Sequence, residues 1–146
     1  DGVQERDYVF YFPNEEVGIT ATSICVYKEQ YGQYYSQGNL KNGYRDGRWI
    51  WYLENGQKTS EVIYKDGKLI GEYLSWHNNG QMLNKGSMTE NGNDGFWTSW
   101  YDNGQKKSES YWKDGKLHGI RTEWSSDGTK KFVSNWKDGV CISGDC

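Results

Sequence analysis

The sequence has little of several features on which common functions depend. It contains one proline and two histidines among 146 residues, and its charges are mixed along the whole length, with a net charge of −3. The absence of a Lys/Arg cluster excludes the electrostatic pattern of a nucleic-acid-binding protein. No run of about eighteen apolar residues occurs, so a membrane-spanning helix is excluded. The chain begins at Asp1 rather than at methionine, and we expect that a preceding segment was removed.

The chain is also poor in hydrophobic residues, with a mean hydropathy of −1.00. What is there instead is aromatic: eight Trp, twelve Tyr and four Phe. Disordered chains have few aromatic residues, because these rings bury large areas when they become ordered. Nineteen glycines supply the positive φ angles that tight turns need. The composition therefore predicts one folded all-β domain with a core built from rings.

A 24-residue period runs along most of the chain. Glycines recur at this step at positions 47, 71, 95 and 119, and again at 56, 80, 104 and 128. Such a period is the mark of a repeat architecture. We divide the chain into an N-terminal strand or cap segment (1–22), a repeat array (23–142) and a C-terminal tail (143–146). The copies within the array are 23–46, which is degenerate, then 47–70, 71–94, 95–118 and 119–142.

Each copy carries two turn signals, such as Asn55-Gly56 and Asp66-Gly67. Such dipeptides favour two-residue type I′ hairpin turns, because both central positions need positive φ. The segments between them are rich in the residues that strands prefer. We predict an all-β fold: a single-layer antiparallel meander of stacked 24-residue β-hairpin repeats, forming an elongated twisted sheet.

The assumed two-residue turn places Trp49 opposite Val62 and Gly47 opposite Tyr64. We interpret the repeating glycines as positions where an aromatic ring lies flat over bare backbone, and we call such positions glycine seats. Alternation along the strands puts the glycines and one set of rings on a core-facing side. The residues given this structural role are Gly47, Gly71, Gly95, Gly119, Trp49, Trp97, Tyr64, Trp112 and Trp136, and Tyr73, Leu69 and Leu117 share their face.

These columns resemble a known repeat. The pattern G-x-[WY]-x-x-[WY]-x-x-[ND]-G-[QT], followed by an aromatic residue and K-D-G-K-x-x-G, resembles the bacterial variant of the MORN (membrane occupation and recognition nexus) repeat, as found in YwqK-like antitoxin family proteins. The resemblance covers 47–139 well and 23–46 weakly. It implies a β-hairpin array that serves as a scaffold or binding surface, and it implies no catalytic residue.

A second row of rings, one per copy, projects from the opposite face. Its members are Tyr52, Trp76, Trp100 and Trp124, and the acidic residues Glu61 and Glu109 lie on the same face. The rings either stabilise the sheet by packing on one another or form an exposed patch for a partner. The two carboxylates are either solvated strand residues or part of that patch. We take all six residues as partner-binding candidates.

No arrangement of catalytic groups is apparent. The histidines, His77 and His118, lie at different phases of the repeat beside strand ends or turns, which favours a surface role. We therefore expect no enzyme, no catalytic residue, no metal site and no cofactor.

The three cysteines divide into one isolated residue and one close pair. Cys25 lies too far along the array to reach the others, so we expect an unpaired thiol. Cys141 and Cys146 are close enough for a disulfide, which we favour. That disulfide would suit an exported protein, and two thiols would suit the cytoplasm.

The sequence predicts a non-enzymatic repeat scaffold that mediates protein–protein interaction, with an antitoxin-like or immunity-like role as its narrower form. A secreted or surface carbohydrate-binding module that uses the aromatic row is the alternative. Binding to a lipid surface is a third reading, against which the acidic net charge and the lack of a basic cluster argue. We expect a protein partner, no nucleic acid and no transmembrane segment, and an open sheet edge also allows a homodimer.

Overall fold

A computed structural model describes the backbone of residues 4–6, 9–11, 21–29 and 32–146, and the side chains of 36–146. Throughout these residues the regular structure is β, with no helix. The strands are β1 (Gln4–Arg6), β2 (Val9–Tyr11), β3 (Ala21–Glu29), β4 (Gly32–Lys41), β5 (Tyr44–Leu53), β6 (Lys58–Lys65), β7 (Lys68–Trp76), β8 (Met82–Thr89), β9 (Gly92–Trp100), β10 (Lys106–Lys113), β11 (Lys116–Trp124), β12 (Lys130–Lys137) and β13 (Val140–Gly144).

The chain divides into two compact units, unit 1 (Asp1–Ile70) and unit 2 (Gly71–Cys146). In unit 1, strands β3 to β6 pair with their sequence neighbours, and β1 pairs with β2. In unit 2, strands β7 to β13 pair in the same way, and every described pair is antiparallel. The prediction of an all-β antiparallel meander is confirmed. Most of the cap segment lies outside the described residues, so its role stays a prediction.

One class of turn has the predicted type I′ geometry. At Asp66-Gly67 the φ angles are 49° and 79°, so both central residues are left-handed. An aspartate tolerates this conformation better than most residues, and glycine adopts it without steric cost. The same geometry occurs at Asn42-Gly43, Asp114-Gly115 and Asp138-Gly139.

The other class of turn, at Asn55-Gly56 and at the same position of each later copy, is not type I′, and the type I′ prediction is wrong there. Only Gly56 has a positive φ, because the loop contains three residues. The amide of Gly56 donates to the carbonyl of Leu53, whose own amide donates to the carbonyl of Gln57. Asn55 Oδ1 accepts the Gln57 amide at 3.0 Å, which holds the asparagine in the turn. Matching bonds form one, two and three repeats later.

The strand register is nevertheless as predicted in the body of the hairpin, although Tyr52, which a two-residue turn would set opposite Thr59, pairs with Lys58. Trp49 pairs with Val62 and Gly47 pairs with Tyr64. A β-bulge follows Trp51, and the extra residue that it accommodates cancels the extra residue of the loop. The body of each hairpin is therefore aligned as a two-residue turn would align it.

Successive Asn-Gly turns of unit 2 are joined by their asparagines. Asn103 Oδ1 accepts the Gln105 amide at 3.0 Å, and Asn103 Nδ2 donates to the Ser126 carbonyl in the next turn at 2.7 Å. Asn79 makes the same two bonds one repeat earlier. Asp127 keeps the bond within its own turn but, as a carboxylate, has no hydrogen to donate.

The glycine seats lie at positions other than those predicted. Gly95 pairs with Trp112 as expected, but a Cβ atom on Gly47 or Gly95 would meet nothing within 4 Å. Their φ angles of 74° and 78° explain the preference for glycine there. The seats are Gly38 and Gly86, where a Cβ atom would overlap the indoles of Trp49 and Trp97.

The core-facing side buries its central tryptophan completely in unit 1 but only partly in unit 2. Trp49 is 0% exposed, and its ring lies 6.1 Å from that of Trp51. The Arg45 guanidinium lies over Trp49 at 4.8 Å from the ring centroid. In unit 2, Trp97 and the other predicted core rings, Trp112 and Trp136, are only half-buried. The prediction of a buried face therefore holds for Trp49 and fails for these three residues and for Tyr64, which is also half-buried.

The C-terminal strand ends in a small covalent loop. Cys141 and Cys146 are joined by a disulfide, with their Cα atoms 5.9 Å apart. The side chain of Cys25 lies outside the described residues, so its unpaired state stays a prediction.

Candidate functional site

The predicted second row of rings lies opposite the first. In unit 2, Trp76, Trp100 and Trp124 are the last residues of β7, β9 and β11. Strand alternation directs them away from Trp97, to the side that we call the Trp100 face. In unit 1, Tyr52 occupies the equivalent place next to the end of β5. All four rings are half-buried, so each contributes to packing and also has surface that a partner can reach.

A lysine links two members of this row to Glu109. Lys106 pairs across the strands with Trp100, and its Nζ atom lies 5.3 Å from the ring centroid of Trp124. The same ammonium forms an ion pair with Glu109, whose side chain is 45% exposed. The structure therefore brings Glu109 next to the predicted row. At the cross-strand position of Trp76 the lysine is replaced by Met82, which makes that part of the row more apolar.

Glu61 has a different environment from Glu109. It is 8% exposed, and its carboxylate forms ion pairs with Arg48 and Lys58. The hydrogen bond from Arg48 holds the pKa of Glu61 below its ordinary value; burial opposes this, and the Lys58 ammonium adds to the lowering. Glu61 therefore holds two strands together and offers a partner little surface.

The Trp100 face also carries an apolar cluster that the sequence reasoning missed. Phe96 is 78% exposed and meets the ring of Tyr111 edge-on, with centroids 5.1 Å apart. Ile120, on the next strand, is 57% exposed. In their column of the repeat the earlier copies have Arg48 and Glu72. The sequence signal that could have revealed this cluster is the change, at one position of the repeat, from charged residues in the earlier copies to apolar residues in the later ones.

A cavity of about 430 Å³ opens next to one ring of the row. Its lining consists of Trp76, His77, Asn78, Asn79, Leu83 and Asp102. His77 Nε2 lies 2.9 Å from the carbonyl oxygen of Trp100, so the histidine connects two strand ends. The cavity thus has an indole and an aliphatic side chain among polar turn residues, a combination that suits an inserted side chain of a partner.

The other chemistry of the described residues is limited. His118 Nδ1 lies 3.5 Å from Asp138 Oδ1, at a strand end. Within residues 36–146 and the other described segments, no three His, Cys, Asp or Glu side chains are grouped so that they could hold a metal ion. The same part of the chain contains no helix long and apolar enough to cross a membrane.

The geometry defines a class of protein first: stacked β-hairpins with an aromatic residue at fixed positions in each. The family model of the MORN repeat variant matches this chain at residues 45–66 and 94–114. Both segments are hairpins closed by an Asn-Gly turn, β5 with β6 and β9 with β10. Over these two hairpins the chain is therefore similar to the MORN repeat variant. No curated protein matches the sequence.

Proposed function

We propose that this chain is a non-enzymatic repeat scaffold that binds a protein partner through the Trp100 face of unit 2. The observation that carries the proposal is the apolar cluster formed by exposed Phe96 and Ile120 on two strands of one face, with half-buried Tyr111 on the strand between them. Single exposed apolar residues are ordinary, but contiguous exposed patches mark interaction sites. Aromatic residues are also the most frequent contributors of binding energy at interfaces.

The surroundings of the cluster support a protein partner. Trp76, Trp100 and Trp124 lie on the same face, and the cavity next to Trp76 offers a place for a side chain of the partner that has both apolar and polar atoms. Charges on this face occur in opposite pairs, such as Lys85 with Glu72. An apolar centre with a mixed polar surround is the usual composition of a protein interface.

The experiment is affinity capture with two matched double variants. Phe96→Ser with Ile120→Ser removes the cluster, while Val140→Ser with Ile142→Ser makes the same chemical change at residues that are 63% and 56% exposed on β13. We expect wild type and the β13 variant to retain the same partner and the cluster variant to lose more than about tenfold in affinity, as truncation of interface anchors does. Equal retention by both variants would overturn the proposal.

A further pair of substitutions tests the row itself. Trp76→Ala with Trp100→Ala should weaken binding of the same partner, provided that circular dichroism shows a retained β spectrum.

Sedimentation of the purified chain shows whether the partner is a foreign protein or a second copy of this chain. A homodimer should show a mass that depends on concentration, and the β13 variant should alter that dependence.

The resemblance to YwqK-like antitoxin proteins supports a narrower form of the proposal, in which the partner is a toxin that the scaffold neutralises. Co-expression of the captured partner with the wild-type chain should then restore growth, and co-expression with the Phe96→Ser, Ile120→Ser variant should not. A captured partner that is harmless to the cell would remove the antitoxin role and leave the scaffold proposal intact.

A further inference from the structure

The opposite side of unit 2, which we call the Trp97 face, contains a cavity whose origin is visible in the repeat. Trp49 in unit 1 and Trp97 in unit 2 are two repeats apart, and each lies against a glycine. Their indole nitrogens make the same bond, from Trp49 Nε1 to the Asn39 carbonyl and from Trp97 Nε1 to the Ser87 carbonyl, both at 2.9 Å. The two rings are therefore held in the same way.

The residues around the two rings differ. In unit 1, the Arg45 guanidinium lies over Trp49. The ring of Trp51 lies 6.1 Å from that of Trp49, and the ring of Tyr64 lies 6.2 Å from that of Trp51, measured between centroids. Val62, opposite Trp49, completes this packing at 2% exposure. These side chains surround Trp49, which is fully buried, and the cavity of unit 1, about 310 Å³, lies beyond them, lined by Arg45, Tyr64, Gly67 and Leu69.

At the positions two repeats later, three of these side chains become small or polar. The replacements are Asn93 for Arg45, Ser99 for Trp51 and Ser110 for Val62, while Trp112 stands in the place of Tyr64. What remains is a cavity of about 160 Å³ between the two tryptophans, Trp97 and Trp112. We call this cavity the Trp97 trough, and the polar residues that line it are Asn84, Asn93, Thr98, Ser99, Ser108 and Ser110.

The lining of the Trp97 trough is uncharged and already ordered. Ser99 Oγ and Ser108 Oγ are 2.6 Å apart, and Trp112 Nε1 donates to Ser110 Oγ at 2.8 Å. On the neighbouring strand β11, Arg121 is opposite Ser110 and Glu123 is opposite Ser108, and these two charged residues form an ion pair with each other. The trough therefore presents hydroxyl and amide groups, which both donate and accept hydrogen bonds, beside two indoles.

We propose that the Trp97 trough binds a neutral saccharide. A sugar ring has one apolar face of C–H groups that can lie on an indole and a rim of hydroxyl groups that both donate and accept. An anionic ligand such as phosphate would find no unpaired cation among the lining residues. An apolar side chain would cover the serine and asparagine groups without offering them any hydrogen bond, which is unfavourable.

The size of the trough limits the ligand. At about 30 Å³ per water molecule it holds roughly five waters, so a single sugar ring or the end of a longer glycan is the unit that fits. A ligand of this size, bound at the efficiency usual for small molecules, should have a Kd on the order of 1 mM. This inference concerns a face and residues other than those of the proposed protein-binding site, so each can fail without the other.

The test is titration of the purified chain with neutral hexoses, N-acetylhexosamines and their disaccharides, up to about 20 mM, well above the expected Kd. Tryptophan fluorescence and amide chemical shifts are the two readouts. We compare Ser99→Trp, which restores the unit 1 residue and fills the trough, with Ser126→Trp, which makes the same change in an exposed turn. We expect wild type and Ser126→Trp to bind, and Ser99→Trp to lose more than tenfold in affinity.

A second variant tests the proposal if Ser99→Trp disturbs folding. Asn93→Ala with Ser108→Ala removes polar groups and adds no volume, and a saccharide should bind it more than about tenfold less tightly. Absence of binding by the whole panel, equal binding by wild type and this variant, or competition for the trough by inorganic phosphate or an apolar peptide would each overturn the proposal.

Discussion

A single glycine decides how one indole lies against the sheet. A Cβ atom on Gly86 would overlap the ring of Trp97, and the backbone of Gly86 has no positive φ that would itself demand glycine. Glycine is therefore needed at this position only because the indole of Trp97 occupies the space of a side chain. Gly86→Ala should destabilise the protein by about 1 to 3 kcal/mol, the usual result of forcing extra volume into a packed site.

A double-mutant cycle checks this explanation. When Trp97→Ala has removed the ring, Gly86→Ala should change the free energy of unfolding by less than about 0.5 kcal/mol, so the two substitutions should couple strongly. Urea denaturation of the four proteins gives the coupling energy. An equal effect of Gly86→Ala in both backgrounds would mean that the backbone, not the indole, requires the glycine.

The lowered pKa of Glu61 predicts how the stability of the folded protein depends on pH. Its pKa in the folded protein is lowered from an ordinary value of 4.5, chiefly by the hydrogen bond from Arg48. A carboxyl group with a lowered folded pKa contributes stability above its unfolded pKa, and this contribution is lost as the pH falls through the folded pKa. Glu61→Gln should therefore cost about 1 to 3 kcal/mol at neutral pH, and the difference from wild type should shrink as the pH falls below 4.5.

Glu109→Gln is the matched control. Glu109 has the same spacing from its lysine but no arginine partner, and its side chain is 45% exposed, against 11% for Glu61. Exposed ion pairs contribute only about 0 to 1 kcal/mol, so this substitution should have a small effect at neutral pH. Urea midpoints of the three proteins measured from neutral to acidic pH test both statements, and a constant difference for Glu61→Gln across that range would contradict the assignment.

At the scale of the hairpin, the periodic residues made the strand pairing predictable and the turn chemistry only partly so. The 24-residue step located the strands and the pairing of Trp49 with Val62, because register is fixed by which side chains share a face. The turn at Asn55-Gly56 was not predictable from the dipeptide, since the side chain of Asn55 bonds within a three-residue loop. The glycine seats were missed because their column contains Gly, Val and Ser, which share small volume rather than identity.

The candidate sites show the same limit. The row of Trp76, Trp100 and Trp124 repeats and so could be found from the period. The cluster at Phe96 and Ile120 occurs in only two copies, and the Trp97 trough arises where large residues are replaced by small ones. A search for what recurs passes over positions where a copy departs from the pattern, and those departures are visible only when side chains are placed in space.

The asparagine bonds between turns predict an element-scale effect. Asn103→Asp keeps an acceptor for the Gln105 amide but replaces the donor to the Ser126 carbonyl with a charged oxygen. The loss of this bond and the repulsion between the two oxygens should destabilise the protein by about 1 kcal/mol. Asp127→Asn, which keeps the acceptor at its own turn, should change stability by less than about 0.5 kcal/mol. Thermal unfolding of both variants compares them, and similar losses would show that the bond between turns contributes nothing.

At the scale of the whole molecule, repetition means that a complete copy is removable in a way that part of one is not. Positions 24 residues apart are structurally equivalent in unit 2, as the pairings of Gly95 with Trp112 and of Gly119 with Trp136 show. Deletion of residues 95–118 joins Asp94 to Gly119 and recreates the Asp-Gly sequence that it removes. Strand direction, side-chain alternation and both turn classes are all preserved across the new junction.

We therefore expect the protein lacking 95–118 to fold cooperatively, with a lower urea midpoint and a lower m value, because one set of neighbouring interfaces is lost and less surface is exposed on unfolding. Deletion of 95–106 alone removes half a copy and fuses β9 with β10, so the side chains of every later strand exchange faces relative to the strands before the junction, which should prevent folding of the remaining part of unit 2. Tryptophan fluorescence and circular dichroism through a urea titration distinguish the two proteins. Equal loss of structure in both would mean that the copies depend on their individual side chains more than on the period that they share.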